Sequence, residues 1–479
     1  MAGCVRVVHG NVIKISKLTT NPETSPAKLT WEEIQNFSEG SLFAGKCWKW
    51  SSDAWILPSD VSAFIKELGE AGVSFFQALE RLYLKSSANE KILRNQDLRA
   101  PWVAEYLDAG KPDWLIKHSC SSAVRGSLPL VLRPDLLPSR DGLALTEWDS
   151  VPGGIGLTEY LGKMYLKDRL PGMAKAFAGS LVSQAGEKGK LARFAVLVSE
   201  ESATYRPEME WLGEELRKSG LQVEVARPDE VSFVGDEVWL KDNKIDVVYR
   251  FWELFDTEVS QMHRFAKSVE TGNLVVTPPM RPFLEEKLSL ALLHQPRLQS
   301  YWEESLSKSA RTLLLRTVPP TWIIDPSPVP PGAYLDGPSI GGQALSDWQD
   351  LGKASKKERA LVLKASGFHE TAWGARSVVV GDDESAEDWT TAVVEALKKY
   401  PAPISILQEF KKPLVMKHPV FDENGNLSMM SGRLRLSPYY FLENGKVNVQ
   451  GALATFCPAD KKIIHGMRDG VLMPCEMPA

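Results

Sequence analysis

The chain has 479 residues, of which 43% are hydrophobic and 24% charged, with a formal net charge of −5 and a sequence pI near 5.9. That length predicts two or three lobes, and the composition is that of a soluble globular protein. The acidic balance argues against a dedicated nucleic-acid binder. No stretch approaches 18 consecutive apolar residues, so we expect neither a membrane span nor a membrane partner.

The first residues of the chain and its cysteines predict a cytoplasmic location. The start, MAGCVRVVHGNVIKIS, has neither a long apolar core nor a cleavage-like site, so no signal peptide is expected. The five cysteines are scattered and include no Cys-x-x-Cys pair. This usage indicates a reducing compartment and predicts neither a zinc site nor a disulfide framework.

The first 120 residues are predicted to be mostly helical. LTWEEIQNF contains Thr30 and, three positions on, Glu33, which is the spacing of a capping box. DVSAFIKELGEAGVSFFQALERLYL has apolar residues at helical spacing. Beyond residue 120, SLPLVLRPDLL and GLALTEW predict two strands joined at PSRDG, because Asp-Gly between apolar runs is a strong hairpin signal.

The pattern changes near residue 191. RFAVLVSE predicts a buried strand, PEMEWLGEELRKSG a helix and QVEVARPDE a second strand, after which DEVWLKDNKIDVVYRF predicts a short hairpin and a third strand. A strand–helix–strand order with a helix ending in glycine is typical of a small parallel α/β lobe. The lobe has no Gly-x-Gly-x-x-Gly segment, so nothing indicates that it binds a nucleotide.

The last third of the chain combines a long loop with further strands. The stretch 319–343 is dense in proline and glycine, which predicts a loop throughout. ALVLKASG, SVVVG and ISILQEF predict strands, and SAEDWTTAVVEALKKY predicts a helix. The C-terminal part alternates like an antiparallel sheet, with Asn-Gly turns at 424–425 and 444–445.

Three carboxylates of the first predicted hairpin are expected to converge. Glu147 and Asp149 are two apart on one strand, so their side chains share a face. Asp135 lies across the turn, on the partner strand. Carboxylates on one face repel each other unless a cation lies between them, and oxygen-only ligands favour Mg²⁺. The alternative is an exposed sheet edge with solvated acids.

Two downstream strands end in residues that suit a nucleotide. Lys364 precedes a glycine turn, where a point charge and loop N–H groups can hold phosphates. Gln408 and Glu409 end a later strand, where a carboxylate and adjacent main chain can read an adenine edge or a ribose. Taken singly, each is equally compatible with an ordinary surface position.

Three further residues have two interpretations each. Arg206 and Arg250 lie near strand ends of the small α/β lobe, where they could hold a substrate carboxylate bidentately or form structural ion pairs. His465 could serve as a base or be a packed or capping residue.

Taken together and in order, these segments resemble the ATP-grasp ligases, most closely the glutathionylspermidine synthetase type, in which the usual segment order is circularly permuted. In that family an Arg-x-Asp strand is followed by a Glu and an Asn that hold magnesium. Here Arg133-Pro134-Asp135 precedes Glu147 and Asp149, which lie twelve and fourteen residues after Asp135, as in the family. Asp149 replaces the usual Asn, which keeps an oxygen ligand and adds a charge.

The resemblance extends to the nucleotide-binding segments. VVTPPMRPFLEEKLSLALL resembles the segment whose lysine faces the nucleotide, which implies that role for Lys287. LVLKASG resembles the second lysine segment, with Lys364 and the glycine turn at Gly367. ILQEF resembles the adenine hinge and contains Gln408 and Glu409.

Arginines complete the implied site. GRLRLSPYYF lies where the family has an arginine that stabilises the transferred phosphate, and Arg433 and Arg435 match that position equally well. The resemblance implies that one of them acts with Arg133 on the developing acyl-phosphate.

What the resemblance implies for the whole chain is an α/β (α+β) protein with a permuted ATP-grasp fold and a small Rossmann-like parallel α/β lobe. The expected parts are an N-terminal mostly helical segment at 1–120, a metal-binding hairpin part at 121–190, the substrate lobe at 191–270 and a nucleotide-binding part at 271–479. ATP and Mg²⁺ are the implied cofactors, and the partners are a small-molecule or peptide carboxylate and an amine. The implied reaction joins these two in an amide bond through an acyl-phosphate, releasing ADP and phosphate. The alternatives are a phosphotransferase on the same fold and a non-catalytic nucleotide-binding or scaffold protein.

Overall fold

The computed structural model describes most of the chain, namely residues 29–38, 40–43, 46–167, 172–256, 259–461, 463–464 and 468–478. Its α-helices are α1 (Trp31–Ser38), α2 (Ser59–Ser87), α3 (Pro101–Asp108), α4 (Asp113–Cys120), α5 (Ile155–Tyr165), α6 (Met173–Gln184), α7 (Arg206–Lys218), α8 (Met262–Glu270), α9 (Leu288–His294), α10 (Gln299–Ser305), α11 (Lys308–Thr317) and α12 (Ala386–Lys399). Short 3-10 helices lie at Ser41–Phe43, Ser122–Val124, Gly186–Leu191, Ala203–Tyr205, Pro228–Glu230, Pro282–Leu284, Pro296–Leu298 and Trp348–Lys353. None of the described helices has the length and apolar character needed to cross a membrane.

The strands form three main sheets and two small ones. They are β1 (Cys47–Lys49), β2 (Trp55–Ile56), β3 (Val131–Ser139), β4 (Gly142–Asp149), β5 (Arg193–Val198), β6 (Gln222–Ala226), β7 (Val231–Val234), β8 (Glu237–Leu240), β9 (Asn243–Lys244), β10 (Val247–Phe251), β11 (Val275–Thr277), β12 (Thr321–Ile324), β13 (Ser339–Ile340), β14 (Gln343–Ala344), β15 (Leu361–Ala365), β16 (Val379–Val380), β17 (Ser405–Glu409), β18 (Val415–Phe421), β19 (Leu427–Glu443), β20 (Lys446–Pro458) and β21 (Arg468–Glu476). Strands β7, β8 and β9 form one small antiparallel sheet, and β13 pairs with β14 in the other.

The largest sheet joins strands from distant parts of the sequence. Its order is β1-β21-β20-β19-β3-β4, with β18 paired to β19 and β2 paired to β21. The predicted hairpin β3–β4 and the predicted antiparallel C-terminal strands are both confirmed, and they belong to one sheet. Strands β1 and β2 come from the segment that was predicted to be mostly helical, so that segment also contributes two short strands.

The second sheet is parallel throughout, in the order β11-β10-β5-β6. Helix α7 packs against it, as expected for a strand–helix–strand crossover. The three strands predicted in this region are therefore present and parallel, while the Rossmann-like character of the lobe stays a prediction. The sheet also includes Val275–Thr277, which follows residue 270 in the sequence. The predicted boundaries of the parts stay predictions.

The third sheet, in the order β12-β17-β15-β16, corrects one sequence prediction. The stretch 319–343 was predicted to be loop throughout, but Thr321–Ile324 within it is a strand antiparallel to β17, and Ser339–Ile340 is a short strand that pairs with Gln343–Ala344. All four residues of Thr321–Ile324 belong to types with high strand propensity, and their pairing with β17 outweighs the surrounding proline and glycine. The predicted strand in SVVVG is confined to Val379–Val380.

Helix α2 packs closely against Trp148 of the hairpin and Tyr440 of β19. Its 29 residues include Gly69 and Gly72, and a Cβ at either position would collide with the ring of Tyr440 or Trp148. The absence of those side chains lets β19 and β4 approach the helix closely. Trp148 is buried there against Phe76, with ring centroids 5.8 Å apart. Burial of Trp148 thus anchors the strand on which Glu147 and Asp149 lie.

The first described helix begins as predicted. The Glu33 carboxylate accepts a hydrogen bond from the Thr30 backbone N–H at 2.8 Å, and the Glu33 backbone N–H donates to the Thr30 hydroxyl at 3.2 Å. These reciprocal bonds satisfy N–H groups that the first turn leaves free.

Candidate functional site

One cavity of about 960 Å³ collects most of the residues that the sequence singled out. It lies between the β3–β4 hairpin with β19, the sheet that contains β15 and β17, and the start of α7. The predicted site residues that line it are Arg133, Asp135, Glu147, Asp149, Lys287, Lys364, Gly367, Gln408, Glu409 and Arg435. Those described but absent from its lining are Arg206, Arg250 and Arg433, and His465 lies outside the described residues.

The register of the hairpin places its charged residues in two facing pairs. Asp135 lies opposite Glu147, and Arg133 lies opposite Asp149, with a β-bulge directly after Asp135. Residues opposite each other on neighbouring strands point to the same face of a sheet. Trp148 points to the other face, into the core. Alternation along the strand therefore presents the acids to the cavity while the strand itself stays anchored.

Both hairpin aspartates that line the cavity, Asp135 and Asp149, are paired with arginine. Arg133 Nη2 lies 2.7 Å from Asp149 Oδ2, and Arg133 Nε lies 3.5 Å from Asp135 Oδ1. Asp135 also accepts from Arg435 Nη1 at 3.0 Å and from the Ser437 hydroxyl at 2.8 Å. Burial raises the pKa of Asp149, and the Arg133 charge acts against that rise. Asp149 has a negative charge that the asparagine of the resembled family would lack, and Arg133 compensates this charge.

The donor chemistry at the hairpin suits a hard cation that arrives with phosphates. Within the described residues, no group of three His, Cys, Asp or Glu side chains is placed to hold a metal ion. Mg²⁺ commonly takes one or two carboxylates and completes its shell with phosphate oxygens and water, so it does not require such a group. The Glu147 side chain is 34% exposed and lies 3.6 Å from Lys287 Nζ, which leaves its carboxylate the most accessible of the three.

The two predicted lysines reach the cavity from different elements. Lys287 immediately precedes α9 and donates to the Ala372 carbonyl at 2.7 Å, which ties it to the 367–376 loop. Lys364, near the end of β15, donates to the Thr146 carbonyl at 2.9 Å and to Gln408 Oε1 at 3.0 Å. Burial lowers the pKa of Lys364 to about 8, and the positive charge of Lys287 acts in the same direction.

The predicted hinge joins the same network. The Gln408 amide donates to the Thr321 hydroxyl at 3.0 Å, so both ends of its side chain are fixed. The Glu409 carboxylate accepts from Lys411 at 2.7 Å, and Lys411 lies 3.4 Å from Asp141 at the turn of the hairpin. These contacts connect the end of β17 to the tip of β3–β4.

The structure separates the two arginines that the sequence could not distinguish. Arg435 lines the cavity and binds Asp135. Arg433, two residues earlier on β19, is buried and donates to the Lys461 carbonyl at 2.8 Å. Of the two arginines, Arg435 lines the cavity and Arg433 does not, and the role beside the transferred phosphate stays a prediction.

Arg250 and Arg206 both contact other groups of the protein, and their role as substrate-binding residues stays a prediction. Arg250 is fully buried, pairs with Glu285 and donates to the carbonyls of Pro278 and Trp252. Its donors are thus used within the protein. Arg206 donates to the Val198 carbonyl at 3.3 Å and lies 3.5 Å from the exposed Glu200.

Glu208 is a cavity residue that the sequence did not indicate. It is buried at the start of α7 and accepts from the backbone N–H groups of Gly154, at 2.8 Å, and Gly156, at 3.0 Å. The Gly153 carbonyl beside them accepts from Arg133 at 3.0 Å. Burial raises the pKa of Glu208 to about 7. A glutamate in the first turn of a helix is common, so only tertiary packing reveals this one.

Glu253 is a second acid that faces the cavity, just beyond the carboxyl end of β10. Burial raises its pKa to about 8, and the negative charges of Glu285 and Asp149 act in the same direction. Carboxyl ends of parallel strands commonly position ligand-binding groups, which is the sequence signal that points to this position.

Comparison with known proteins places the fold. No protein-family model matches the sequence, and no curated protein resembles it significantly. Among solved structures, it is similar to a putative gamma-glutamylcysteine synthetase from Methylobacillus flagellatus KT, with a TM-score of 0.42 and 13% identity over 82% of this chain and 86% of that one. It is also similar to a glutathione synthetase-like effector from Globodera pallida in its apo form, with a TM-score of 0.53 and 12% identity over 93% of this chain and 96% of that one. The chain therefore shares the overall fold of that effector.

Proposed function

We propose that this chain is an ATP-dependent carboxylate–amine ligase of the permuted ATP-grasp type, which forms an amide through an acyl-phosphate. The observation that supports this most directly is the convergence of the hairpin acids, two lysines and Arg435 in one cavity. The order of these segments along the chain and the fold shared with a glutathione synthetase-like effector support it further.

The nucleotide is proposed to lie between the hairpin and the end of β17. Lys287 and Lys364 would neutralise phosphate charge, and Gln408 and Glu409 would contact the base and ribose. Asp135, Glu147 and Asp149 supply oxygen ligands suited to Mg²⁺, which would offset the negative charge of the phosphates when it is bound with ATP. Gly367 leaves the turn after β15 without a side chain, and a Cβ there would lie 2.8 Å from the Glu286 carboxyl carbon.

The first chemical step is phosphoryl transfer. A substrate carboxylate oxygen attacks the γ-phosphorus, the bond from that phosphorus to the bridging oxygen breaks, and ADP leaves with the electron pair. Such transfer depends on in-line positioning and charge neutralisation more than on covalent help. Arg133 and Arg435 lie on adjacent strands and line the cavity, and they would stabilise the negative charge of the acyl-phosphate.

The second step forms the amide. The neutral amine attacks the acyl carbon, the tetrahedral intermediate collapses, and inorganic phosphate leaves. The nitrogen loses one proton, and Glu253 is the cavity carboxylate whose raised pKa suits it to accept that proton near neutral pH. The 367–376 loop, held to Lys287 through Ala372, would exclude water from the labile acyl-phosphate.

An isotope experiment tests the mechanism with mixed pools of candidate substrates. The full chain is incubated with ATP, Mg²⁺ and pools of ¹⁸O-carboxylate acids and amines. Ligation through an acyl-phosphate transfers one ¹⁸O from the acid to inorganic phosphate and releases ADP. Formation of AMP, or of a stable phosphorylated product in place of an amide, would contradict the proposal and favour a phosphotransferase.

A matched pair of variants identifies the site. Lys364→Met is expected to abolish ADP release, whereas Lys357→Met, at an exposed position outside the cavity, is expected to leave it unchanged. Absence of any Mg·ATP-induced rise in the melting temperature of the unsubstituted chain would contradict both enzymatic interpretations, because a ligand that binds the native state stabilises it.

A further inference from the structure

The large sheet contributes residues to the lining of the cavity, and these residues change from charged to apolar from one edge of the sheet to the other. The strand order β4-β3-β19-β20-β21-β1 places Glu147, Asp135 and Arg435 on the first three strands. The next strands contribute Leu453 on β20 and Leu472 on β21. The proposed nucleotide site lies at the charged edge, because Lys364 donates to the Thr146 carbonyl on β4.

The opposite end of the cavity is apolar. Its lining includes Leu42, Trp48, Leu157, Leu453, Ile464 and Leu472. Two charged residues of the cavity lie near these apolar ones: Lys46 Nζ is 5.9 Å from the centroid of the Trp48 ring, and Glu208 is bonded to the backbone N–H groups of Gly154 and Gly156, next to Leu157. Neighbouring strands are about 4.8 Å apart, so Arg435 on β19 and Trp48 on β1 are separated by roughly 14 Å across the sheet.

Two polar groups without a hydrogen-bond partner among the described residues lie between the charged and the apolar end of the cavity. Arg435 and Thr455 are direct partners across β19 and β20. Arg435 Nε and Thr455 Oγ1 are both buried and, among the described residues, have no hydrogen-bond partner. Thr455 also lines the cavity. Buried donors without partners are costly, so this pair is suited to an anionic group of a ligand.

We infer that the cavity binds an elongated carboxylic acid whose carboxylate lies at Arg435 and Thr455 and whose apolar body extends toward Trp48. The inference rests on the proposed function, in which this carboxylate is the one activated, and it adds the chemical class of that substrate. An ammonium group at the same boundary would face the Arg435 guanidinium and be repelled. Charge therefore distinguishes the acid substrate from the amine. The apolar residues of β20 and β21 favour an acid with an apolar body.

The length of the apolar end sets the expected length of the ligand. An extended chain advances roughly 1.2 Å per bond, so about 14 Å corresponds to about eleven or twelve bonds. Each methylene buried against apolar side chains increases affinity about fourfold. Affinity is thus expected to increase with chain length and to level off when the chain reaches Trp48.

The test uses straight-chain saturated monocarboxylates of about four to sixteen carbons, which extends beyond the expected plateau. They are titrated calorimetrically into the full chain with Mg·ADP present and absent. The expected result is an increase of about fourfold in affinity per methylene until a plateau. Affinities that do not change with length would overturn the inference. The inference would also be overturned if affinity increased with chain length for the matching alkyl amines and not for the acids.

Variants separate the two parts of the proposed site. Thr455→Val removes one hydroxyl while keeping the side-chain shape, and is expected to lower affinity about three- to tenfold at every chain length. Leu472→Gln introduces an amide into the apolar wall, and is expected to flatten the dependence on chain length. Should Leu472→Gln fail to fold, Trp48→Ala opens the far end and is expected to move the plateau to longer acids. If neither folded variant changes the length profile, the acids bind elsewhere and the inference fails.

The calorimetric and enzymatic results can fail independently. Length-dependent binding without ADP release or ¹⁸O transfer would leave the apolar site standing and contradict the ligase. Ligation of short polar acids without length-dependent binding would leave the ligase standing and contradict the apolar site.

Discussion

The hairpin β3–β4 and the parallel sheet β11-β10-β5-β6 place arginine in opposite settings. Arg133 on the hairpin lines the cavity and is paired with two aspartates. Arg250 on the parallel sheet is fully buried and bonded to Glu285 and to main-chain carbonyls. Both follow an apolar run in the sequence. An arginine that follows an apolar run is therefore a candidate ligand-binding residue only where it and its partners line a cavity.

The largest expected effect is a loss of stability when Arg250, the buried arginine of this comparison, is replaced. Arg250→Met leaves Glu285 buried without its cation, and breaking a buried pair in this way costs about 3–5 kcal/mol of unfolding free energy. Urea denaturation measures this loss. Arg206→Met is the control, because its exposed pair with Glu200 is worth no more than about 1 kcal/mol. Equal stability of the two variants would remove the distinction between the regions.

The next effect concerns catalysis and the two arginines of β19. Loss of one group that stabilises transition-state charge typically lowers kcat about 10²–10³-fold. Arg435→Met is expected to show that loss in the rate of ADP release, with the nucleotide still bound. Arg433→Met is expected to keep the rate and to lower the melting temperature, because it removes the bond to the Lys461 carbonyl. The reverse pattern would assign the role to Arg433.

The smallest effect is a pH dependence at Lys364. Its folded pKa of about 8 is below the unfolded value of about 10.4, so the unfolded chain binds more protons between these values. Stability therefore increases with pH across that window, by at most about 1.4 kcal/mol per pH unit. Lys364→Met should lack this contribution, and Lys357→Met should retain it. Identical profiles of both variants from pH 7.5 to 10.5 would show that Lys364 titrates normally.

Local patterns predicted elements well wherever a segment contained its own signal. The capping box at Thr30 and Glu33, the turn at Asp141 and the Asn-Gly turns are decided by neighbours in sequence, and the structure confirms them. The strand Thr321–Ile324 was missed because its stabilisation comes from β17, more than eighty residues away. The same holds for Glu208, whose partners are backbone N–H groups of a distant loop.

The sequence by itself determined which residues could share a face. A period of two along β4 places Glu147 and Asp149 together, and the two-residue turn puts Asp135 on the neighbouring strand. The turn alone would pair Asp135 with Thr146, and the β-bulge after Asp135 shifts its partner to Glu147. The tertiary structure decided which charged groups face a cavity and which are buried in pairs, as Arg435 differs from Arg433. It also placed Leu453 and Leu472 beside the charged strands. The physical reason is that strand order depends on long-range pairing and on burial of both faces, and local spacing contains no information about either.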